Sequence, residues 1–235
     1  SRGLHIRGNT NQIRFDDWVN FTKVNAKQSA NANFIRSIDL TMESFDIYGR
    51  SFDDQRIVAN RGSNGWIIDL YGEQAEGLIN FPYDFKDQLP IEVDMEVLNI
   101  GKSNGVWSGN SLNPIELPSI LIRVEDFSFS NHFMGTFSAD FVKFEDGLRA
   151  VEIETQAENF SINANAGWIL DDSYEAGQHT YFEGKLTSSN VIDTLKKLDY
   201  QPIIDSDEME IEIDIKWPGG PREDYLEYTQ GDFNV

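Results

Sequence analysis

The 235 residues contain no cysteine, which excludes disulfides, thiolate metal sites and thiol catalysis without fixing the compartment. Histidine is nearly absent too. His5, His132 and His179 lie far apart with no i, i+4 pair, so each reads as a surface or turn residue. No apolar run approaches 18 residues, so no transmembrane helix is expected. Positive charge is scarce: 19 Lys and Arg against 40 Asp and Glu give a net charge of −21. Nucleic-acid binding needs clustered cations and is therefore not expected. The same balance argues against docking on an anionic membrane surface. An acidic coat that keeps a β-rich chain soluble accounts for it. Gly101-Lys102-Ser103 resembles the end of a phosphate loop, but Glu96 stands where that motif needs glycine. No signal peptide is visible, and the chain opens Ser-Arg-Gly without Met. It is expected to be a piece of a longer protein, with any anchoring segment elsewhere.

What is present is alternation. Met209, Ile211, Ile213, Ile215 and Trp217 are apolar, while Glu210, Glu212, Asp214 and Lys216 between them are polar. Ile91, Val93, Met95 and Val97 alternate with Glu92, Asp94 and Glu96 in the same way. Period two puts one set on each face of a strand, one oily and one acidic, as in a sheet covered on one side only. Forty per cent apolar and 12% aromatic residues suit a folded domain with a sizeable core.

The strand pattern occurs twice, 82 residues apart without a gap. Ile38–Ile47 lines up with Ile120–Phe129, Asn64-Gly65 with Asp146-Gly147, and Gln74–Gly77 with Gln156–Asn159. In both copies the apolar phase slips: between Met42 and Phe45, and between Val124 and Phe127. One extra residue near Glu43-Ser44 and near Glu125-Asp126 would be a recurring β-bulge that curls the sheet. A β unit that cannot bury its own apolar face implies an array with an extended groove.

Turn signals divide the chain into strands near 4–8, 38–48, 55–60, 66–71, 74–80, 91–98, 120–130, 134–143, 148–155, 158–164, 180–186, 209–217 and 225–234. Residues 25–33 read as a polar linker and 101–118 as a loop. A short helix is expected over 188–199, capped by Ser188 or Ser189, with Val191, Ile192, Leu195 and Leu198 on one side and Lys196 and Lys197 in its last turn; Pro202 stops it. A second is expected after Asp16-Asp17, carrying Trp18, Phe21 and Val24. The expected fold class is mostly β: curled antiparallel sheets of repeated units forming an elongated groove or open sandwich, with one or two short helices. The division is 1–33 (a strand, a short helix and the linker), 34–116 (the first β unit) and 117–235 (the second, with the helix and the C-terminal strands).

Candidate chemistry is thin. With 40 acidic residues, a catalytic carboxylate pair cannot be picked out by spacing. Asp205, Asp207 and Glu208, or Asp171 and Asp172, could meet calcium, but none has EF-hand spacing, and a solvated acidic loop is the plainer reading. Trp18, Trp66, Trp107, Trp168 and Trp217 could stack sugars, though aromatics on alternating strands belong more often to the core. Trp217-Pro218-Gly219-Gly220-Pro221 ends the cleanest amphipathic strand as a rigid turn, since neither proline can donate to a ladder.

Ile213–Pro221, followed by Gly231-Asp232-Phe233, resembles the C-terminal region of the AsmA-like superfamily, most closely its large YhdP-type members. Leu117-Pro118 before Ile120–Phe129, Gly135, Gly65-Trp66, Gly77, Gly167-Trp168, Gly184 and Leu198-Asp199-Tyr200 fit the same family. The likeness spans nearly the whole chain from about Gly3. It departs at Arg222-Glu223-Asp224, where a hydrophobic or aromatic residue would be expected soon after Pro221. The resemblance implies a periplasmic segment of a protein anchored in the inner membrane of a Gram-negative bacterium. It implies a lipid-transfer bridge whose apolar groove holds phospholipid acyl chains for transport between the inner and outer membranes and for outer-membrane barrier maintenance, with envelope proteins as possible partners at either membrane and no catalytic residue or cofactor. The groove candidates are Ile38, Leu40, Met42, Ile120, Ile122, Val124, Ile211, Ile213 and Ile215. The structural turn is Trp217, Pro218, Gly219 and Pro221, and no metal site is expected. The competing expectation is a closed β-sandwich that binds carbohydrate or a protein partner.

Overall fold

The computed structural model describes residues 3–14, 34–47, 49–83, 89–102, 113–198, 201, 206–221 and 227–234. Thirteen strands form one open sheet in which spatial order equals chain order. They are β1 (Leu4–Arg14), β2 (Ile35–Ile47), β3 (Arg50–Arg61), β4 (Gly65–Tyr71), β5 (Ala75–Pro82), β6 (Ile91–Ile100), β7 (Ile120–Phe129), β8 (His132–Phe144), β9 (Gly147–Gln156), β10 (Phe160–Leu170), β11 (Gln178–Ser188), β12 (Met209–Pro218) and β13 (Gln230–Asn234). All thirteen expected strands are present. The closed sandwich needs a second sheet, and the described strands form only one.

Two pairings depart from the antiparallel expectation. β1 runs parallel to β2, and β6 runs parallel to β7. Each follows a long connection, 15–34 or 101–119, which returns the chain to the end where the preceding strand began. Between them lies a five-strand antiparallel meander, β2–β6, and after the second comes a seven-strand one, β7–β13, whose first five strands, β7–β11, match β2–β6 in number. The 82-residue sequence offset maps β2 onto β7 and β3 onto β8.

The phase slip is handled differently in the two copies. Against β8, the register of β7 shifts between Val124 and Phe127, which is the expected irregularity. The β2–β3 register, by contrast, is unbroken: Met42 faces Gln55 and Ser44 faces Asp53. Here the ladder skips Glu43 and Asp54, and Asp54 sits at φ 50°. A left-handed residue rotates the strand without adding one, and aspartate tolerates that region better than most. Phe45 and Phe127 therefore both reach the core by different routes.

That core lies at one end of the sheet. Phe52, Ala75, Met95, Val124 and Phe127 are buried together, with Ile47, Leu70, Ile100 and Phe137 packed against them. The sheet curls here. The Arg50 guanidinium of β3 lies 5.5 Å from the Phe129 ring of β7 and donates to the Gly101 carbonyl. Four strand spacings separate β3 from β7, about 19 Å on a flat sheet whose side chains stand perpendicular to it.

One helix is described, α1 (Val191–Lys197). Its cap is Asn190 rather than Ser188 or Ser189: the Asn190 side chain accepts from Asp193 N–H at 3.0 Å. Ser188 instead bonds the Thr194 hydroxyl at 2.8 Å. Val191 and Thr194 are fully buried, so the helix plugs the core end of the second meander. The helix expected around Trp18, Phe21 and Val24 lies outside the described residues, as do Trp107, Asp205, Pro202 and the 222–224 departure.

Candidate apolar groove

The ladder carries side chains of one face into register across the whole sheet. One row runs Ile6, Ile38, Ala59, Ile68, Ile79, Val93, Ile122, Ala139, Ile153, Ala164, Gly184, Ile213 and Phe233, each the direct partner of the next. No polar side chain interrupts it. A second row runs Gly8, Leu40, Ile57, Leu70, Gly77, Met95, Val124, Phe137, Thr155, Ile162, Leu186 and Ile211, broken only by a threonine hydroxyl. A third runs Ile91, Ile120, Phe141, Ala150, Ala166, Phe182 and Ile215. Twelve strand spacings make the first row on the order of 55–60 Å long.

The opposite face has another chemistry. The row offset by one residue reads Arg7, Asp39, Val58, Asp69, Leu78, Asp94, Arg123, Ser138, Glu154, Asn163, Lys185 and Glu212. Arg7 and Arg56 both reach Asp39 at 2.9 Å. These guanidiniums, Arg56 foremost, hold the Asp39 carboxyl below its ordinary value against the opposing effect of burial. A concavity of about 610 Å³ opens on this face along the line of register shifts, lined by Asp69, Asp94, Glu96, Arg123, Glu125 and Glu154 among others.

All nine groove candidates fall on the apolar face. Ile38, Ile122 and Ile213 share the first row, Leu40, Val124 and Ile211 the second, and Ile120 and Ile215 the third. Met42 lies one step beyond Leu40, paired with Gln55. Their exposure divides them. Met42, Val124 and Ile215 are buried at 2%, 4% and 6% and serve the core. The other six are half-buried, and among the described residues no second sheet seals them. Ile57, Ile68, Ile79, Val93, Ile153 and Ile162 complete the floor. Sequence reading did not name them among the candidates, although their alternation was the available signal.

At the end away from the core, cover is uneven. A 3-10 turn, Pro114–Glu116, packs on β9 and β10. Leu148, Ala150 and Trp168 beneath it are buried, whereas Val151 on the other face is 55% exposed. Trp168 Nε1–H donates to Gln178 Oε1 at 3.1 Å. Trp217 Nε1–H donates to the Gly220 carbonyl at 3.1 Å, and Thr180 donates to the Gly219 carbonyl at 2.8 Å. Gly219 takes φ 87°, a conformation that favours glycine, and the chain bends there at the end of β12. These tryptophans are therefore core residues rather than sugar platforms. In the first meander the corresponding end, Trp66, Phe81 and Ile91, stays half-buried.

Of the calcium candidates, Asp171 is engaged within its own loop. Asp171 accepts from Ser173 N–H and Oγ–H and pairs with His179 at 3.0 Å. Among the described residues no group of His, Asp or Glu is arranged to hold a metal. No helix among them is long and apolar enough to cross a membrane.

No curated protein and no solved structure matches the chain. A family model described as YhdP protein matches it over residues 1–235, and the chain belongs to that family.

Proposed function

We propose that this chain is a segment of a periplasmic lipid-transfer bridge, whose apolar face holds phospholipid acyl chains moving between the inner and outer membranes. The observation that carries this reading is the unbroken first row, half-buried along most of its length. A folded chain normally covers such a surface, because exposing it forfeits the burial that stabilises the fold. Moving one methylene into water costs about 0.8 kcal/mol, so an acyl chain of about sixteen carbons needs on the order of 10 kcal/mol of shielding. A floor of isoleucine and valine running across the strands provides shielding that does not end at one site. With the acidic face turned outward, lipid is held by its tails rather than by its headgroup. Membership of the YhdP family supports an envelope setting.

Native mass spectrometry of the purified chain tests this. Phospholipid should co-purify, and Ile122→Asp or Ile213→Asp should lower the bound amount at least tenfold with an unchanged circular dichroism spectrum. Full lipid occupancy in both folded variants would refute the groove.

A further inference from the structure

The charges on the apolar face are sorted by sign. Among the described residues, no aspartate or glutamate takes a paired position on that face. The charged side chains there are Arg50 opposite Ile47, Arg61 opposite Trp66 and Lys143 opposite Leu148. Acids outnumber bases 40 to 19 in the chain, so composition alone would not place cations and no anion on one face. Two of these cations stand at covered ends. Arg50 lies over Phe129 and donates to the Gly101 carbonyl beside the core. Lys143 ends β8 next to the roofed strands, its backbone N–H donating to the Ser119 hydroxyl at 3.0 Å. Arg61 stands where the floor is open, two residues beyond Ala59 of the first row, with half-buried Trp66 and Phe81 following it across β4 and β5.

The Arg61 guanidinium lies 4.2 Å from the Tyr83 ring centroid and 5.9 Å from that of Trp66. Those two rings meet edge to face at 6.4 Å, and the Tyr83 hydroxyl donates to the Gly62 carbonyl at 2.9 Å. Stacking engages the face of a guanidinium, whereas phosphate is recognised by its edge. Trp, Tyr and Arg each join an apolar body to a polar tip, which suits the line where an oily floor meets water. From Arg61 the same side of β3 runs down through Ala59 and Ile57 to Gln55, which is buried beside the core. At about 3.3 Å per residue this path is about 20 Å long. One leaflet of a bilayer, half of a hydrocarbon core about 30 Å thick, is about 15 Å deep. A tail laid along the strand therefore fits between the core and Arg61, with its headgroup in water at the rim.

We propose that Arg61 is a headgroup site: it binds the phosphate of a phospholipid whose tails lie along the strands of the first meander, so that lipid crosses the sheet broadside with its headgroup on the Arg61 side. The site rests on the groove proposed above. Tails supply the affinity, and Arg61 sets the side on which the headgroup rides. The probes are two lipids with identical palmitoyl chains, phosphatidylglycerol and the phosphate-free diacylglycerol, offered to the 235-residue chain and counted by native mass spectrometry. Wild type should bind both and favour phosphatidylglycerol. Arg61→Gln, with an unchanged circular dichroism spectrum, should lower phosphatidylglycerol occupancy roughly fivefold and leave diacylglycerol occupancy unchanged. Arg61→Lys, which keeps the charge and loses the planar fork, should fall between the two. Arg123→Gln, on the acidic face, should change neither. Ile122→Asp should lower both lipids alike, which separates loss of the groove from loss of the rim. Inorganic phosphate alone should not bind; phosphate binding that Arg61→Gln abolishes would assign the residue to free phosphate and overturn the lipid site. Equal loss of both lipids in Arg61→Gln, or loss of neither, would overturn the headgroup site and spare the groove. Wild type that binds neither lipid would overturn both.

Discussion

The two meanders share a sequence pattern, a parallel entry strand and the same apolar rows, yet they finish their far ends differently. In β7–β11 the connection before β7 swings over β9 and β10, and Leu148 and Trp168 are buried beneath it. In β2–β6 the matching end, around Trp66 and Phe81, stays half-buried. The described cover is the 3-10 turn Pro114–Glu116, so strands of one pattern differ in burial with what packs on them.

The largest expected effect breaks this comparison at the tryptophans. Trp168→Ala should destabilise the chain by about 3–5 kcal/mol, through a cavity and an orphaned Gln178. Trp66→Ala should cost about 1–2 kcal/mol, because its ring is already half in water. Urea titration of both variants decides it, and equal losses would mean that the two ends are equally covered. Next come the two left-handed positions near the phase slip. At Gly135, with φ 84°, an added Cβ would lie 1.9 Å from the Gln156 carbonyl oxygen. Gly135→Ala should therefore cost about 2–4 kcal/mol. At Asp54, where φ is 50°, glycine relieves strain instead, and Asp54→Gly should change stability by less than about 1 kcal/mol in either direction. The smallest effect concerns the matching turns Asn64-Gly65 and Asp146-Gly147. The Arg149 guanidinium, at 2.6 Å, holds the Asp146 carboxyl below its ordinary value of 3.8. A depressed carboxylate stabilises fully above that value, and the contribution is lost as pH falls through the folded-state value. Asp146→Asn, which makes the second turn like the first, should lower Tm by about 1 °C at pH 7. That difference should shrink in melting curves as pH falls below the ordinary carboxylate value of 3.8.

Much of the fold was legible because alternation is a local signal. Ile211, Ile213 and Ile215 share a face by period two alone, and every expected strand was found. The bulge in β7 was legible for the same reason. Its counterpart in β2 was not, since a skipped pair with a left-handed Asp54 leaves the same phase slip in sequence as an inserted residue. The Asn190 cap was missed because Ser188, a good capping type, spends its hydroxyl on Thr194. Gln55 gave no warning of its burial at 1% exposure, with its amide nitrogen unpartnered. It is polar at a position the partner strand made apolar.

The sequence by itself determined that one face would be oily and the other acidic, because side-chain direction along a strand follows from residue parity. Only the tertiary structure decided that Ile6 and Ile213 belong to one continuous row. Register between strands is set by how every neighbour pairs, and no single segment contains that information. The same holds for the roof over β9 and β10: where a connection settles depends on the surface it meets, which exists only once the sheet has formed.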